Sequence, residues 1–303
     1  MRIAVLPASP KTGRATIKAL LESDQLTTPL HVQGIYRDPS KAPAEFLSHP
    51  SFHAGQGDLS DANTLELGGV DMVLAITPPR YDASDILQWA RVASENTRLA
   101  IQKAGTVKRV VLLSSTGAEQ PSGTGEIMTN HIAEEILQHA APEVIFMRCA
   151  YFMENWESAI STVRTDNPHF YSVITPLDYR VPMVAVDDIG RACATYLLGL
   201  EPPRSPYVVE VRGPQEYTVN EVQQALHDAV GQEVEIRPVK KEDFPDFFGR
   251  FLPQSSVGLF VEMTNSFLPG GVIASAIPNP DVRVYRGRMG LGECLGKISV
   301  PAR

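Results

Sequence analysis

The chain has 303 residues, 43% hydrophobic and 20% charged, with a formal net charge of −8 and a pI near 5.4. This is the composition of a globular protein with one large core or two interlocked domains. The acidic balance, with no face rich in Lys or Arg, excludes direct nucleic-acid binding, and no apolar run is long enough to cross a membrane. Three cysteines, Cys149, Cys193 and Cys294, have no metal-ligand spacing and are expected to be free buried thiols of a reducing compartment. Met1-Arg2 leads straight into a short apolar strand rather than a signal peptide, so a cytoplasmic location is expected.

Apolar Ile3–Leu6 predicts a first strand, and Gly13–Leu21 the helix that follows it. Further apolar runs at His31–Tyr36, Val70–Ile76, Arg109–Leu113 and Val144–Met147 read as buried parallel strands. Amphipathic stretches at Pro39–Leu47, Ala83–Lys103 and Glu126–His139 lie between them. This alternation over residues 1–150 predicts an α/β fold with an open, doubly wound parallel sheet, and a ligand at the carboxyl ends of its strands. Beyond residue 150 the pattern loosens. Asp188–Leu198 reads as a helix and Tyr207–Val211 as a strand. Thr218–Val230 reads as a helix with Thr218 and Glu221 forming a capping box and Gly231 as its stop, and Val234–Pro238 as a strand. The Phe-rich region Phe244–Phe267 predicts apolar helices over a cleft, and Pro278–Asp281 is turn punctuation before a short tail. The expected division is a nucleotide-binding domain at 1–150, joined by part of 181–211, and a smaller α+β substrate or roof domain at 151–303.

The turn Val5-Leu6-Pro7-Ala8-Ser9-Pro10-Lys11-Thr12-Gly13 stands where a dinucleotide-binding fingerprint would put glycines at 7, 10 and 13, and keeps only Gly13. Pro10 has no N–H, so Lys11, Thr12 and Gly13 supply the remaining helix-terminal donors, with hydroxyls from Ser9 and Thr12 and a charge from Lys11. Bound phosphates would sit on these three residues, displaced from Pro7 and Pro10. The competing reading is a plain strand-to-helix turn capped by Ser9. At the end of the second strand, Arg37 stands where an acid would receive the ribose 2′-OH of NAD; a guanidinium there matches a 2′-phosphate and favours NADP(H). Asp38 is the alternative sugar ligand, and a solvated Arg–Asp pair starting a helix is the bland alternative. In Gly57-Asp58-Leu59, Asp58 either accepts from an adenine amine while Leu59 packs on the ring, or caps the segment that follows.

Together these segments resemble the NmrA-like family of atypical short-chain dehydrogenases/reductases, fungal members especially. The resemblance rests on Tyr36-Arg37-Asp38-Pro39-Ser40-Lys41, Gly57-Asp58-Leu59, Val110–Ala118, Met147–Asn155 and Val181–Gly190 in the family's order, and spans nearly the whole chain. It implies a Rossmann domain holding NADP(H) at its switch point under a smaller C-terminal roof. It also implies that Thr77-Pro78-Pro79 line the ribose and nicotinamide channel, that Tyr151-Phe152 lie by the nicotinamide, and that Arg148, Glu154 and Asn155 organise that corner. The wider superfamily uses a Ser with a Tyr-x-x-x-Lys pair as its proton donor and ribose anchor. Ser115 can stand for the Ser, with Ser114 beside it on the cofactor side. No Tyr is supplied, and the Lys position falls on Asn130 or His131. Asn130 can hydrogen-bond the ribose. His131 is either the acid/base group, since histidine titrates near neutral pH, or a polar residue on the cleft wall. Tyr81 and Tyr179 are further candidates to overhang the same cleft, although the sequence does not place their hydroxyls.

Three functions remain open at this point. The first is an NADP(H)-dependent oxidoreductase reducing a small apolar or conjugated substrate, such as a quinone, enone, carbonyl or imine. The second is a non-catalytic NADP(H)-binding redox sensor or transcriptional regulator with a protein partner, and the third a cyclase or isomerase in which the nucleotide is structural or absent.

Overall fold

Eight parallel strands form the central sheet of the computed structural model, which describes residues 1–23, 29–82, 85–199, 202–277 and 279–299. In chain order they are β1 (Arg2–Leu6), β2 (His31–Tyr36), β3 (Phe52–Gln56), β4 (Met72–Ile76), β5 (Arg109–Ser115) and β6 (Glu143–Cys149), joined later by β10 (Tyr207–Arg212) and β13 (Arg283–Arg286). The spatial order is β13-β10-β6-β5-β4-β1-β2-β3. The chain therefore runs outward from β1 to β3, then returns to the other side of β1 at β4. Between β1 and β4 lies the switch point where an open α/β sheet leaves a crevice beyond its strand ends.

Strand alternation sends successive residues to opposite faces. Ile3 and Val5 of β1, Leu74 and Ile76 of β4 and Val111 of β5 join one core cluster with Ile17 and Leu20 of α1 (Lys11–Leu21). The same cluster takes Ile189, Ala192 and Leu197 of α6 (Val186–Leu198). Ala4, Leu6, Val73, Ala75, Val110 and Leu112 face the other way, against Ala93 and Ile101 of α3 (Ile86–Ala104) and Ala133 and Leu137 of α4 (Met128–Leu137). Both faces are covered, which is why the strands are continuously apolar rather than alternating. This is a Rossmann-type α/β sandwich.

Several expected boundaries moved for local reasons. Pro39–Leu47 is broken at Pro43 into a short 3-10 turn (Pro39–Lys41), capped by Asp38, and α2 (Ala44–Leu47). The third expected helix starts at Ile86 on an Asp85 cap and stops at Gly105 in a left-handed conformation; Ala83 lies outside the described residues, as does Pro278. The fourth opens with a 3-10 turn at Gly125–Ile127. The capping box at Thr218 and Glu221 forms, and α7 (Val219–Val230) ends at Gly231 with φ 73°. The expected short tail is instead β13, an edge strand, and α10 (Leu291–Ser299). Having one neighbour only, β13 tolerates the polar pattern Arg-Val-Tyr-Arg, which hides it from a search for apolar runs.

A second buried cluster lies away from the sheet. It gathers Met153, Trp156, Phe170, Tyr217, Val222, Leu226, Phe244, Phe248, Val257, Leu268 and Leu295. Two small sheets, β7 (Tyr151–Phe152) with β9 (Val181–Val184) and β11 (Glu216–Tyr217), and β8 (His169–Ser172) with β12 (Glu235–Pro238), frame it. The Phe-rich region splits into α8 (Phe244–Phe248) and α9 (Gln254–Phe267); α5 is a single turn at Ile160–Val163. No helix among the described residues is long and apolar enough to cross a membrane.

α1 and α6 cross at Gly190, where a Cβ would stand 2.5 Å from the backbone carbon of Ala15. Backbone cannot yield as a flexible side chain can. Gly190→Ala is therefore expected to destabilise the fold by about 1–3 kcal/mol, as overpacking does. Denaturant unfolding checks this; an unchanged midpoint would show that the helices separate freely.

Candidate functional site

The turn between β1 and α1 follows the sheet's logic closely. Ala8 N–H donates to the Ile35 carbonyl at 2.9 Å, which ties the turn to β2. A Cβ on Gly13 would lie 2.9 Å from the Ala8 oxygen and 3.0 Å from the Pro7 oxygen, so α1 can approach the strand only with glycine there. The retained glycine is thus the one that sets helix–strand packing. Pro10 occupies the N-cap, no side chain caps the helix, and no acid lies in its first turn. Ser9 is exposed and does not act as the cap, contrary to the plain-turn reading. The first N–H groups of α1 are left to an external acceptor. Thr12 is buried, and Lys11 is ion-paired with Glu157 of the 3-10 segment Met153–Ala159.

At the end of β2 the two charged residues separate in role. Asp38 accepts from Ser40 N at 3.0 Å and Ser40 Oγ at 2.7 Å, and these bonds hold its carboxyl below the usual range. Its oxygens are engaged in capping. Arg37 is exposed and makes no hydrogen bond with any described residue. Asp58 accepts from Ser60 N at 2.9 Å within a turn, whereas the helical turn that follows, Ala62–Thr64, is capped by Asp61, which accepts from Asn63 N at 2.9 Å. Burial pushes the Asp58 carboxyl up, but the Ser60 bonds and the charges of Arg37 and Arg80 pull it below the usual value. Arg37, Asp58 and Arg80 therefore form one electrostatic cluster beyond β2, β3 and β4. Arg80 pairs with Asp82 and lies 4.7 Å above the Trp89 ring. Leu59 is buried in the core cluster beneath α3, on the protein side of this corner. The Tyr36 hydroxyl, buried at the same strand end, has no hydrogen-bond partner among the described residues.

Beyond β4, the Thr77 hydroxyl reaches Ser94 Oγ at 3.4 Å, and Trp89 Nε1 donates to the Pro78 carbonyl at 2.8 Å; Pro79 is exposed. Beyond β5, Ser115 Oγ donates to the Thr116 carbonyl, and the buried Thr116 hydroxyl has no partner among the described residues. Ser114 turns inward: its hydroxyl donates to Glu134 at 2.6 Å, and Arg148 grips the same carboxylate at 2.9 and 2.6 Å. The expected Arg148–Glu154 corner is absent, because Arg148 pairs with Glu134 and Glu119 while Glu154 accepts from Val186 N at 2.9 Å. Tyr151 and Phe152 point into different cores, Phe152 toward the sheet and Tyr151 toward Trp156 and Phe267 at 6.0 and 6.1 Å.

His131 is held in place by its surroundings. Its Nδ1 lies 2.8 Å from the Ala118 carbonyl, which fixes the ring proton on that nitrogen, and its Nε2 faces Glu135 at 3.5 Å. In this arrangement it ties α4 to the loop after β5. Among the described residues, Asn130 makes a single side-chain contact, 3.5 Å from its Nδ2 to Thr129 Oγ1. The group that the sequence reading passed over is Glu126, in the 3-10 turn ahead of α4 and four residues before Asn130. It forms no hydrogen bond or ion pair with described residues, and burial raises its carboxyl from the ordinary value to about 7. An acidic residue opening a helix signals only a dipole contact in sequence; the burial comes from α9, which packs on the turn from far along the chain.

The family described as NAD(P)H-binding matches residues 8–175, more than half of the chain. No curated protein sequence matches. Among solved structures, the triphenylmethane reductase of Citrobacter sp. complexed with NADP(H) is similar with a TM-score of 0.72 and 20% identity, over 98% of this chain and 100% of that one. An NADPH-dependent quinone oxidoreductase of Escherichia coli gives 0.67 and 20%, over 99% and 98%. A nucleoside-diphosphate-sugar epimerase of Staphylococcus aureus gives 0.70 and 16%, over 98% and 100%. At these identities the likeness is one of fold. The uncapped α1 terminus, the close approach at Gly13 and the unpartnered hydroxyls at the strand ends fit a dinucleotide laid across the switch point. The chain belongs to the NAD(P)H-binding family.

Proposed function

We propose that the protein is an NADP(H)-dependent oxidoreductase of the NmrA-like kind, acting on a small apolar or conjugated acceptor: a quinone, enone, carbonyl or imine. The observation that carries this is Arg37, an exposed guanidinium with no hydrogen-bonded partner among the described residues, while its neighbour Asp38 is consumed as a cap. A 2′-phosphate supplies the dianionic partner that a bare 2′-OH does not. The N–H groups of Lys11, Thr12 and Gly13 would hold the pyrophosphate, and Thr77, Ser115 and Thr116 would line the ribose and nicotinamide end. The reduced nicotinamide supplies a hydride when bound. The second core, against which Tyr151, Phe260 and Phe267 pack, would give a roof over that end an apolar face suited to a conjugated acceptor. The reductase and quinone oxidoreductase among the structural neighbours support the same class. A cytoplasmic location accords with three cysteines that are free and buried.

Titration with NADPH and NADH, followed by nicotinamide fluorescence, tests the reading, together with NADPH consumption over a panel of quinones, enones and imines. Tight NADPH binding with turnover is the expected result. Binding without turnover on any acceptor would assign the redox-sensor role, which the tethered His131 favours. No binding to either nucleotide would leave only a non-redox scaffold.

A further inference from the structure

We propose that Glu157 is an internal competitor of the cofactor's pyrophosphate: its carboxylate occupies Lys11 at the start of α1, and a dinucleotide must displace it to bind. The inference rests on the placement of the pyrophosphate at α1 made above. It names a contact that sets the affinity of that site and its selectivity against smaller anions.

The geometry comes from two helices and one short segment. α1 and α6 meet at Ala15 and Gly190, and each of these residues is the fifth of its helix. Four residues of helix rise only about 6 Å, so the first turns of both helices lie near that crossing. The first N–H of α6, at Val186, donates to Glu154 Oε1 at 2.9 Å, which ties the 3-10 segment Met153–Ala159 to this end. In that segment Met153, Trp156 and Ala159 are buried. Their spacing of three matches the 3-10 turn and leaves the residue after Trp156 facing outward. That residue is Glu157, and its Oε2 pairs with Lys11 Nζ.

The pair stands where α1 otherwise lacks an anion. Pro10 supplies no N–H, no side chain caps the helix, and its first turn holds no acid. A carboxylate brought to Lys11, the first residue of α1, answers the positive end of the helix as a bound phosphate would. Neither partner has another ion pair among the described residues, so breaking this one releases a whole lysine charge. The two side chains are 58% and 49% exposed, which makes the pair a weak and exchangeable one. A dinucleotide anchored along the rest of the crevice can displace so weak a partner. Free phosphate or pyrophosphate has no such anchoring, and meets a lysine already neutralised. Displacement needs one side chain to turn to water, while Glu154 and the buried Trp156 keep the segment in place.

Wild type, Glu157→Gln, Lys11→Ala and the double variant are titrated with NADPH, NADH, inorganic pyrophosphate and 2′-AMP, the last of which carries no pyrophosphate. Salt is held at about 0.15 M, where charges out of contact are largely screened. Glu157→Gln should tighten NADPH and NADH alike by about two- to fivefold, the range of an exposed ion pair, and should make pyrophosphate a stronger competitor of NADPH. Glu157→Ser removes the carboxylate with a different side chain and should reproduce these gains. 2′-AMP should bind every variant equally. In the Lys11→Ala background the Gln change should move NADPH affinity by less than about 1.5-fold, because the group for which Glu157 competes is gone. An NADPH affinity unchanged or weakened in both Glu157 variants would overturn the proposal while nucleotide binding at α1 stands. So would the same gain with and without Lys11, or a gain for 2′-AMP as large as that for NADPH. Failure of every variant and of wild type to bind NADPH would remove the nucleotide site itself, and the same titrations tell the two failures apart.

Discussion

Glu134→Ala is expected to lower the free energy of unfolding by about 3–5 kcal/mol, the range for breaking a buried ion pair by removing one partner. The Glu134 side chain is 8% exposed and that of Arg148 15% exposed, and both hydrogen bonds between them are short. Alanine would leave the guanidinium with Glu119 alone, at 3.1 Å and nearer to solvent, and would strand the buried Ser114 hydroxyl that donates to the same carboxylate. The pair joins β5, β6 and α4, so its loss should loosen the strand ends that carry Ser115 and Thr116. Glu134→Gln keeps the shape and one acceptor, and should cost less. Urea unfolding of both variants checks this, and a loss under about 1 kcal/mol for Glu134→Ala would mean that Arg148 finds water or Glu210 at little cost. The effect belongs to the fold: NADPH affinity at a temperature where the variant is folded should change far less than stability does.

The sheet was legible because burial on two faces writes itself into a sequence as unbroken apolar runs. Residues His31–Tyr36 were bounded correctly, and β1, β4, β5 and β6 within two residues at each end. The same search missed β13, whose polar pattern reflects an edge position fixed by a long-range tie. Asp188 of α6 accepts from Arg288 N and Met289 N at 2.9 and 2.8 Å, and so holds the segment that follows the strand. The site divides in the same way. Gly13, Arg37 and Asp58 announce themselves because each sits at a fixed offset from a strand end. Ser114 and Ser115 are neighbours in sequence, yet the strand pleat sends one into the ion pair beneath α4 and leaves the other at the strand end. Arg148 and Glu154 suggested a pair by closeness in sequence, but the peptide geometry of β6 and the turn after it carries them to different partners. Glu126 was invisible for a related reason: what alters its chemistry is α9, more than a hundred residues away.

Arg37→Ala is expected to weaken NADPH binding about 10- to 100-fold while changing NADH binding less than about twofold. The first figure corresponds to about 1.4–2.8 kcal/mol, the size of one or two hydrogen bonds to a charged group at a partly exposed site. The asymmetry follows from what Arg37 faces. Without a 2′-phosphate, it retains only the long-range attraction of Asp58, which Arg80 shares. The NADPH penalty should shrink in high salt, since an exposed ion pair is screened. Lys11→Ala makes an informative partner. Lys11 is already paired with Glu157, so its charge is available to a pyrophosphate only by giving up that contact. The α1 N–H groups do not depend on it. Its loss should therefore weaken both nucleotides alike, and by less than Arg37→Ala weakens NADPH. Parallel titrations of the two variants by nicotinamide fluorescence separate the roles. If Arg37→Ala lowered NADH and NADPH affinity equally, Arg37 would be a general attractor of anions. The cofactor preference would then have to reside in Arg80 or in the fit of the adenine corner.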